Sequence, residues 1–575
     1  MTNDLVGTKP QAFLILLGCA VFICLCFVSP SEAKSDLGVV RPVIACEDLS
    51  AVNLEKIGGE GSKITKAIET TSDGIPVCAV YGQLSPSISF QALLPTETWT
   101  QRYLQVGCGG LCGNIMLLSG ASSGCPLLTG GEFVMAATDM GHSGNSIEWA
   151  NDPQKQIDFA YRAQHVTSLA VKALIKGFYG QEQAFAYFNG CSDGGREALM
   201  EAERFPDDFN GVIAGAPAML FTVQNTLYHG WQAVSNTGTD GKIILTSDRL
   251  PILHKAVVDA CDADDGLKDG LISQPALCNF DLASITCQDG VSDTSACLTA
   301  TEAAVARKFY DGPRDAKTGA PLTAGQPLYG SELEWQGVYV SDRDTDSLMS
   351  TGAALPVWGN LAFEEKDPDI QLSDLSFTEE KLAALRKTHP FFDATNADLN
   401  SYKDKGGKLI LWHGLADPHI SPANTLSLHN AMRDFMGTEA VDMFERLYFL
   451  PGVGHCSGGQ GPSNIDLLSA IVDWVEDGQA PDAILTSSTA EASSFGQPDF
   501  DDGGEKHRRP EKLDLGVAKL PDMSRPVYPY PYTAKFNGSG DYTDSANWIK
   551  GNAAEIIKVR EWPGKDMFGA YQFFD

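Results

Sequence analysis

One short stretch constrains this chain more than any other. Ala184–Phe188 is an apolar run of strand length, Gly190-Cys191-Ser192-Asp193-Gly194 follows it, and a helical pattern begins near Arg196 and stops before Pro206. The five residues have the form G-x-S-x-G, in which a serine occupies a strained strand-to-helix turn and the glycines let other backbone approach closely. Such a turn raises the hydroxyl clear of a sheet built from alternating strands and helices. Gly120-Ala121-Ser122-Ser123-Gly124 has the same form, but Cys125-Pro126 follows at once, and proline disfavours helix at the residue before it. Ser192 is therefore the expected nucleophile, and Ser122 reads as a tight turn.

The surrounding pattern is α/β. Arg102–Val106 and Phe133–Ala137 read as strands, Ala163–Phe178 as a helix. A similar unit returns late in the chain, with strand Lys408–Trp412, helix Pro422–Phe435, strand Arg446–Leu450 and helix Ile465–Asp477. Residues 226–400 between them are rich in Asp, Gly and turn residues, and read as an insertion. The expected organisation is a core at 34–225 and 401–480, the insertion at 226–400, and a Pro/Gly-rich C-terminal wrap at 481–575.

A serine nucleophile needs a base, and the base needs a group to orient it. Among the histidines after Ser192, His455 stands out in Phe449-Leu450-Pro451-Gly452-Val453-Gly454-His455-Cys456, a loop directly after an apolar strand. His413 and His419 surround the best acid, Asp417, in Trp412-His413-Gly414-Leu415-Ala416-Asp417-Pro418, again just past a strand. Ser192, Asp417 and His455 thus follow in nucleophile–acid–base order. Cys191 precedes the serine and Cys456 follows the histidine. If Ser192 and His455 touch, these two thiols fall near disulfide range.

Export sets the context for the cysteines. Residues 12–28, AFLILLGCAVFICLCFV, sit behind Lys9 and ahead of Ser31-Glu32-Ala33, a pattern that fits a signal peptide spanning 1–33 and a mature chain starting near Lys34. Secreted or periplasmic proteins pair most of their cysteines. Of 14 cysteines, three lie in the apolar run, and the remaining odd number leaves at least one unpaired. No cysteine pair has zinc-finger spacing with matching histidines. A net charge of −32 argues against nucleic acid or an anionic membrane as a partner.

Taken together, these residues resemble the tannase/feruloyl esterase family of α/β-hydrolases, which includes the mono(hydroxyethyl) terephthalate hydrolases. The likeness rests on Gly-Cys-Ser-Asp-Gly-Gly at 190–195, Phe205-Pro206-Asp207-Asp208-Phe209-Asn210-Gly211, Gly215-Ala216-Pro217-Ala218, Gly414-Leu415-Ala416-Asp417 and Gly454-His455-Cys456. It implies an α/β-hydrolase core with a large lid insertion, a Ser192–His455–Asp417 triad and a Cys191–Cys456 disulfide. It further implies an oxyanion hole from the Asp193 N–H and one N–H of the glycine loop, assigned to Gly110. Backbone donors beside a developing oxyanion are what acyl transfer requires in any family.

Residues 261–272, Cys-Asp-Ala-Asp-Asp-Gly-Leu-Lys-Asp-Gly-Leu-Ile, crowd carboxylates as a hard cation would want, although an acidic solvated turn reads the same way from spacing alone. The resemblance implies a structural calcium in the lid, held by the side chains of Asp262, Asp265 and Asp269 and the carbonyls of Leu267 and Leu271. It also implies the pairs Cys261–Cys278, Cys287–Cys297 and Cys46–Cys78. Two departures stand out. The C-terminal region around Tyr528-Pro529-Tyr530-Pro531 lacks the disulfide relatives carry there, and Cys108, Cys112 and Cys125 form an odd set in which Cys112–Cys125 is the favoured pair.

The expected activity is that of a secreted serine carboxylesterase hydrolysing small-molecule esters of aromatic acids, feruloyl, galloyl or related, through an acyl-enzyme. The alternative within the family is a mono(hydroxyethyl) terephthalate-type hydrolase, whose charged acyl group needs a cation. Arg307, Arg314, Arg343 and Arg386 in the insertion are the candidates for that cation. The alternative from another class is a non-catalytic calcium-binding protein on a hydrolase scaffold.

Overall fold

The structure is a computed structural model, and it describes residues 37–144, 146–341, 348–489, 495 and 514–573. Residues 1–33, read above as an export signal, and Arg343 lie outside the described residues. Nine strands form one sheet in the order β1-β2-β3-β5-β4-β6-β7-β8-β9. They are β1 Lys63–Ser72, β2 Ile75–Leu84, β3 Ile88–Pro95, β4 Arg102–Val106, β5 Phe133–Thr138, β6 Phe185–Cys191, β7 Gly211–Gly215, β8 Lys408–Gly414 and β9 Glu445–Leu450. β1, β2 and β3 are joined antiparallel, β3 meets β5 antiparallel, and from β5 to β9 every pairing is parallel.

The parallel strands are buried on both faces, so β5 and β7 are almost wholly apolar, and β4 is buried throughout although it carries Arg102 and Gln105, both hydrogen-bonded. Period-two alternation survives only as a choice of face. Tyr103 packs into one buried cluster with Val134, Phe188 and Val212, whereas Leu104 packs into another with Phe133, Tyr187 and Ile213. Helices cover both faces: α1 (Ala163–Tyr179), α2 (Asp193–Arg204) and α3 (Pro422–Met436) contribute to the first cluster, α4 (Leu467–Asp477) to the second.

Sequence and structure part at some boundaries, each with a local cause. α2 starts at Asp193, immediately after Ser192. α4 starts at Leu467 because Asp466 caps it, accepting from the Ser469 N–H, while Asn464–Ile465 pair with the strand Ile484–Ser487. The C-terminal region adds that strand and Ser524–Val527 to a three-stranded sheet, and closes a ribbon between Tyr532–Phe536 and Trp548–Ala553. The segment between β7 and β8 carries a third buried cluster of its own, built around Leu253, Phe309, Trp335 and Tyr339.

Five disulfides are formed: Cys46–Cys78, Cys108–Cys112, Cys191–Cys456, Cys261–Cys278 and Cys287–Cys297. The favoured Cys112–Cys125 pair is not among them. Cys112 belongs to the core on one face of the sheet and Cys125, a buried free thiol, to the core on the other, so the sheet itself separates them. Among the described residues no helix is long and apolar enough to cross a membrane.

Candidate active site

β6, β8 and β9 run parallel, and the loops at their C-terminal ends carry Ser192, Asp417 and His455. Ser192 has φ 65° and ψ −122°, a left-handed conformation costly for a residue with a Cβ. Its surroundings hold it there. Its N–H donates to the Gly215 carbonyl (3.0 Å), and its own carbonyl accepts from Gly195, Arg196 and Ala218 at 3.1, 3.2 and 2.9 Å. The glycines of the motif are required by close approach: a Cβ on Gly190 would meet the Gly194 carbonyl oxygen at 2.1 Å, and one on Gly194 would meet the Cys108 carbonyl oxygen at 2.8 Å.

Asp417 is fully buried and accepts four hydrogen bonds. His455 Nδ1 donates to Oδ2 at 2.7 Å, His413 Nε2 donates to the same oxygen at 3.1 Å, and the His419 and Ile420 N–H groups donate to Oδ1 at 2.8 and 3.0 Å. Burial alone would raise its pKa, but the two imidazoles outweigh it and hold the carboxyl well below its usual range. With Nδ1–H committed to the carboxylate, His455 presents its other nitrogen as a proton acceptor.

Three more histidines, which sequence order alone did not assign, surround this pair. His413 is fully buried, with Nδ1 2.7 Å from Thr425 Oγ1 and Nε2 facing two acceptors, Asp417 Oδ2 and the Ile420 carbonyl. The His419 ring centroid lies 4.6 Å from that of His455 and 5.9 Å from that of His229. His229 is bonded through Nδ1 to Ser350 Oγ (2.9 Å), and burial with the neighbouring His455 pushes its pKa down to about 3, so it is neutral at pH 7. The signal for His413 and His419 in the sequence was their placement around Asp417; His229, far earlier in the chain, had none.

The glycine loop lies against α2. The Gly194 N–H donates to the Cys108 carbonyl at 2.7 Å, and Gly110 is exposed with φ 64°. Asp193 is the first residue of α2, so its N–H has no acceptor within the helix. Its side chain turns inward to Arg196, with Nε to Oδ1 at 2.7 Å and Nη2 to Oδ2 at 2.9 Å, while the guanidinium stacks 4.8 Å from the Phe159 ring centroid. Ser122, by contrast, donates its hydroxyl to the Ser119 carbonyl (2.9 Å) and sits in a turn bridged to Asp466.

In the acidic loop, both Asp262 oxygens accept from the Gly270 N–H at 3.0 and 3.1 Å, Asp265 accepts from Leu267 N–H at 3.0 Å, and Asp269 from Leu271 N–H at 3.1 Å. Arg525 pairs with Asp269 in the interior. Burial, with Asp269 close by, raises Asp265 to about 6 and also lifts Asp262. An all-oxygen donor set in which Asp269 is buried and Asp262 and Asp265 are half-buried, with more negative charge than one guanidinium offsets, suits a hard cation. Among the described residues, the groups whose ligating atoms all lie within 4.8 Å of one another are elsewhere and do not include the acidic loop: Cys108, Cys112, Asp193 and Glu197, and separately His165, Glu201 and Asp208. In the first the sulfurs are bonded to each other, and in the second Lys172 lies 3.6 Å from Asp208 Oδ1.

The mixed sheet, parallel from β5 to β9, with a serine elbow after β6 defines an α/β-hydrolase, and its class is carboxylic ester hydrolase. The chain belongs to the tannase and feruloyl esterase family, whose description it matches over residues 72–550. It is 30% identical to an esterase of Xanthomonas campestris pv. campestris over 88% of this chain and 91% of that one. It is 27% identical to the mono(2-hydroxyethyl) terephthalate hydrolase of Piscinibacter sakaiensis, covering 80% of this chain and 81% of that one. The crystal structure of an esterase from Aspergillus oryzae superposes with a TM-score of 0.71 at 26% identity, over 88% of this chain and 100% of that one.

Proposed function

We propose that this esterase is exported and hydrolyses neutral esters of aromatic acids, of the feruloyl or galloyl kind, through an acyl-enzyme on Ser192. The hydrogen bond from His455 Nδ1 to Asp417 Oδ2, on the loops next to the Ser192 elbow, carries the reading. Ser192 attacks the ester carbonyl while its proton passes to His455. The N–H groups of Asp193 and Gly110 stabilise the oxyanion, and His455 returns the proton to the departing alcohol. Water then repeats the sequence on the acyl-enzyme. The insertion at 226–400 serves as the lid that meets the acyl group.

Calcium would be held by Asp262, Asp265 and Asp269 through side chains and by Leu267 and Leu271 through carbonyls. When bound it would supply charge compensation for the three carboxylates, of which Asp269 is buried and the other two half-buried. This chain's part is to aim those oxygens, which the loop amides and the Cys261–Cys278 bond already restrain. Export is supported by the apolar run at 12–28 with Ser31-Glu32-Ala33 behind it, and by five disulfides.

A neutral acyl group is favoured by where the three candidate arginines among the described residues go. Arg307 pairs with Asp281, Arg314 donates to the Gly319 carbonyl (2.9 Å), and Arg386 binds Asp566 at 2.8 Å. The relative named for a terephthalate half-ester makes that substrate the proper comparison. A panel of methyl ferulate, methyl gallate, a short p-nitrophenyl ester and mono(2-hydroxyethyl) terephthalate tests the reading. Higher kcat/KM on the half-ester than on both neutral aromatic esters would reverse the assignment.

A further inference from the structure

We propose that Glu197 is a positioning residue for the oxyanion loop: its side chain reaches from the nucleophile helix to the backbone and the disulfide of Cys108–Cys112 and sets where the loop amide points. The proposal rests on the serine-esterase reading above and deepens it.

Glu197 is five residues past Ser192 on α2 and is buried. Its Oε2 accepts from the Cys108 N–H at 3.2 Å and from Gln164 Nε2 at 2.5 Å, and Gln164 is itself held by Gln105, whose Nε2 donates to the Gln164 carbonyl at 2.9 Å. Its Oε1 lies 2.7 Å from Cys108 Sγ and 3.3 Å from Cys112 Sγ. Those sulfurs are bonded to each other and carry no proton. Disulfide sulfurs only accept, so a carboxyl facing them is favoured in its protonated form, with Oε2 left as the acceptor for the Cys108 N–H. Burial, and next the charge of Asp193, push the Glu197 carboxyl well up, in keeping with a neutral acid in this place.

The loop is therefore clipped to α2 at several points. Cys108 receives both the Glu197 contact and, through its carbonyl, the Gly194 N–H. A Cβ on Gly107 would meet Gly194 Cα at 2.5 Å and Glu197 Oε2 at 2.8 Å, so helix and loop touch with no space between them. The Cys108–Cys112 bond closes a ring around Gly109, Gly110 and Leu111. Glycine-rich backbone left to itself samples many conformations, and an oxyanion donor is effective only when it is already in place. The neutral carboxyl supplies one acceptor and one donor, which a glutamine amide also offers and an aliphatic chain does not.

The test is steady-state kinetics of Glu197→Leu and Glu197→Gln in the intact, oxidised enzyme, with fluorophosphonate labelling and affinity for an aryl trifluoromethyl ketone. In Glu197→Leu, kcat should fall about 10- to 100-fold with KM within about twofold, and ketone affinity should fall in parallel, because the oxyanion exists only at the transition state. Glu197→Gln should recover most of the lost turnover. If the leucine variant fails to fold, Gln164→Leu, which removes the donor orienting Glu197 while Gln105 keeps its bond to the Gln164 carbonyl, should lower kcat in the same way by a smaller factor. An unchanged kcat in a folded leucine or Gln164 variant, a loss confined to KM, or a glutamine variant as impaired as the leucine one overturns the proposal. Failure of fluorophosphonate to label Ser192 in the unmodified enzyme overturns the underlying serine-esterase reading instead.

Discussion

Cys191 and Cys456 are bonded with their α-carbons 5.9 Å apart, although 265 residues separate them in the chain. The bond ties the residue before the serine to the residue after the histidine, and Cys456 is itself held at φ 63°. In the chain-entropy model, closing so long a loop stabilises the fold by about 5–6 kcal/mol, and measured values run smaller. A Cys191→Ala/Cys456→Ala enzyme should therefore melt lower. It should also lose about tenfold or more in kcat at temperatures where circular dichroism shows it folded, since small shifts between Ser192 and His455 carry large rate costs. A double variant with full activity would show that the bond does not position the pair.

The two G-x-S-x-G serines should separate cleanly. Ser192→Ala should lower ester turnover at least ~10³-fold, and Ser122→Ala should leave it within a few fold, because the Ser122 hydroxyl is engaged with Ser119 in a turn. Mass mapping after fluorophosphonate treatment should place the label on Ser192.

His413 shares Asp417 Oδ2 with His455 and is locked by Thr425. His413→Leu removes one donor from a buried carboxylate, which should cost about 1–3 kcal/mol of stability. It should also lower kcat about tenfold by loosening the carboxylate that orients His455. Denaturant titration beside a substrate titration separates the two effects.

Chelation should act through the acidic loop before it touches chemistry. If Asp262, Asp265 and Asp269 hold calcium, EDTA followed by desalting should lower Tm and raise KM, and added calcium should restore both. The stabilisation is about 2.7 kcal/mol at a hundredfold excess over Kd. No metal by elemental analysis and no thermal response would leave an acidic loop compensated by Arg525 alone.

Glu203 should impose an alkaline limit on stability. It is buried, accepts from the Asn396 N–H at 2.9 Å, and burial raises its pKa to about 8. A raised folded-state pKa means that its contribution is fully present below pH ~4.5 and is lost as pH rises through 8. Melting temperatures across pH 5 to 9 should therefore fall less steeply in Glu203→Gln than in the unmodified enzyme.

Much of the core was legible because its signals are local. A strand such as Gly211–Gly215 is a buried apolar run, and the turn at Gly190–Gly194 needs glycines at positions the sequence shows directly. Helix starts were less so: Leu467 begins α4 because Asp466 caps it and Ile465 is captured by a strand twenty residues on. The order of Ser192, Asp417 and His455 was likewise visible, since each follows a strand of the same parallel sheet. What the chain's order alone could not yield was everything that depends on which side of the sheet a residue faces. Cys112 and Cys125 are 13 positions apart yet lie in opposite cores, so Cys112 bonds to Cys108. His413, His229 and Glu197 gather around the site from β8, the segment after β7 and α2, with no shared motif. Their roles depend on burial, which turns a polar side chain into one that must find a partner, and burial is a property of the packed sheet and helices, not of any stretch of sequence.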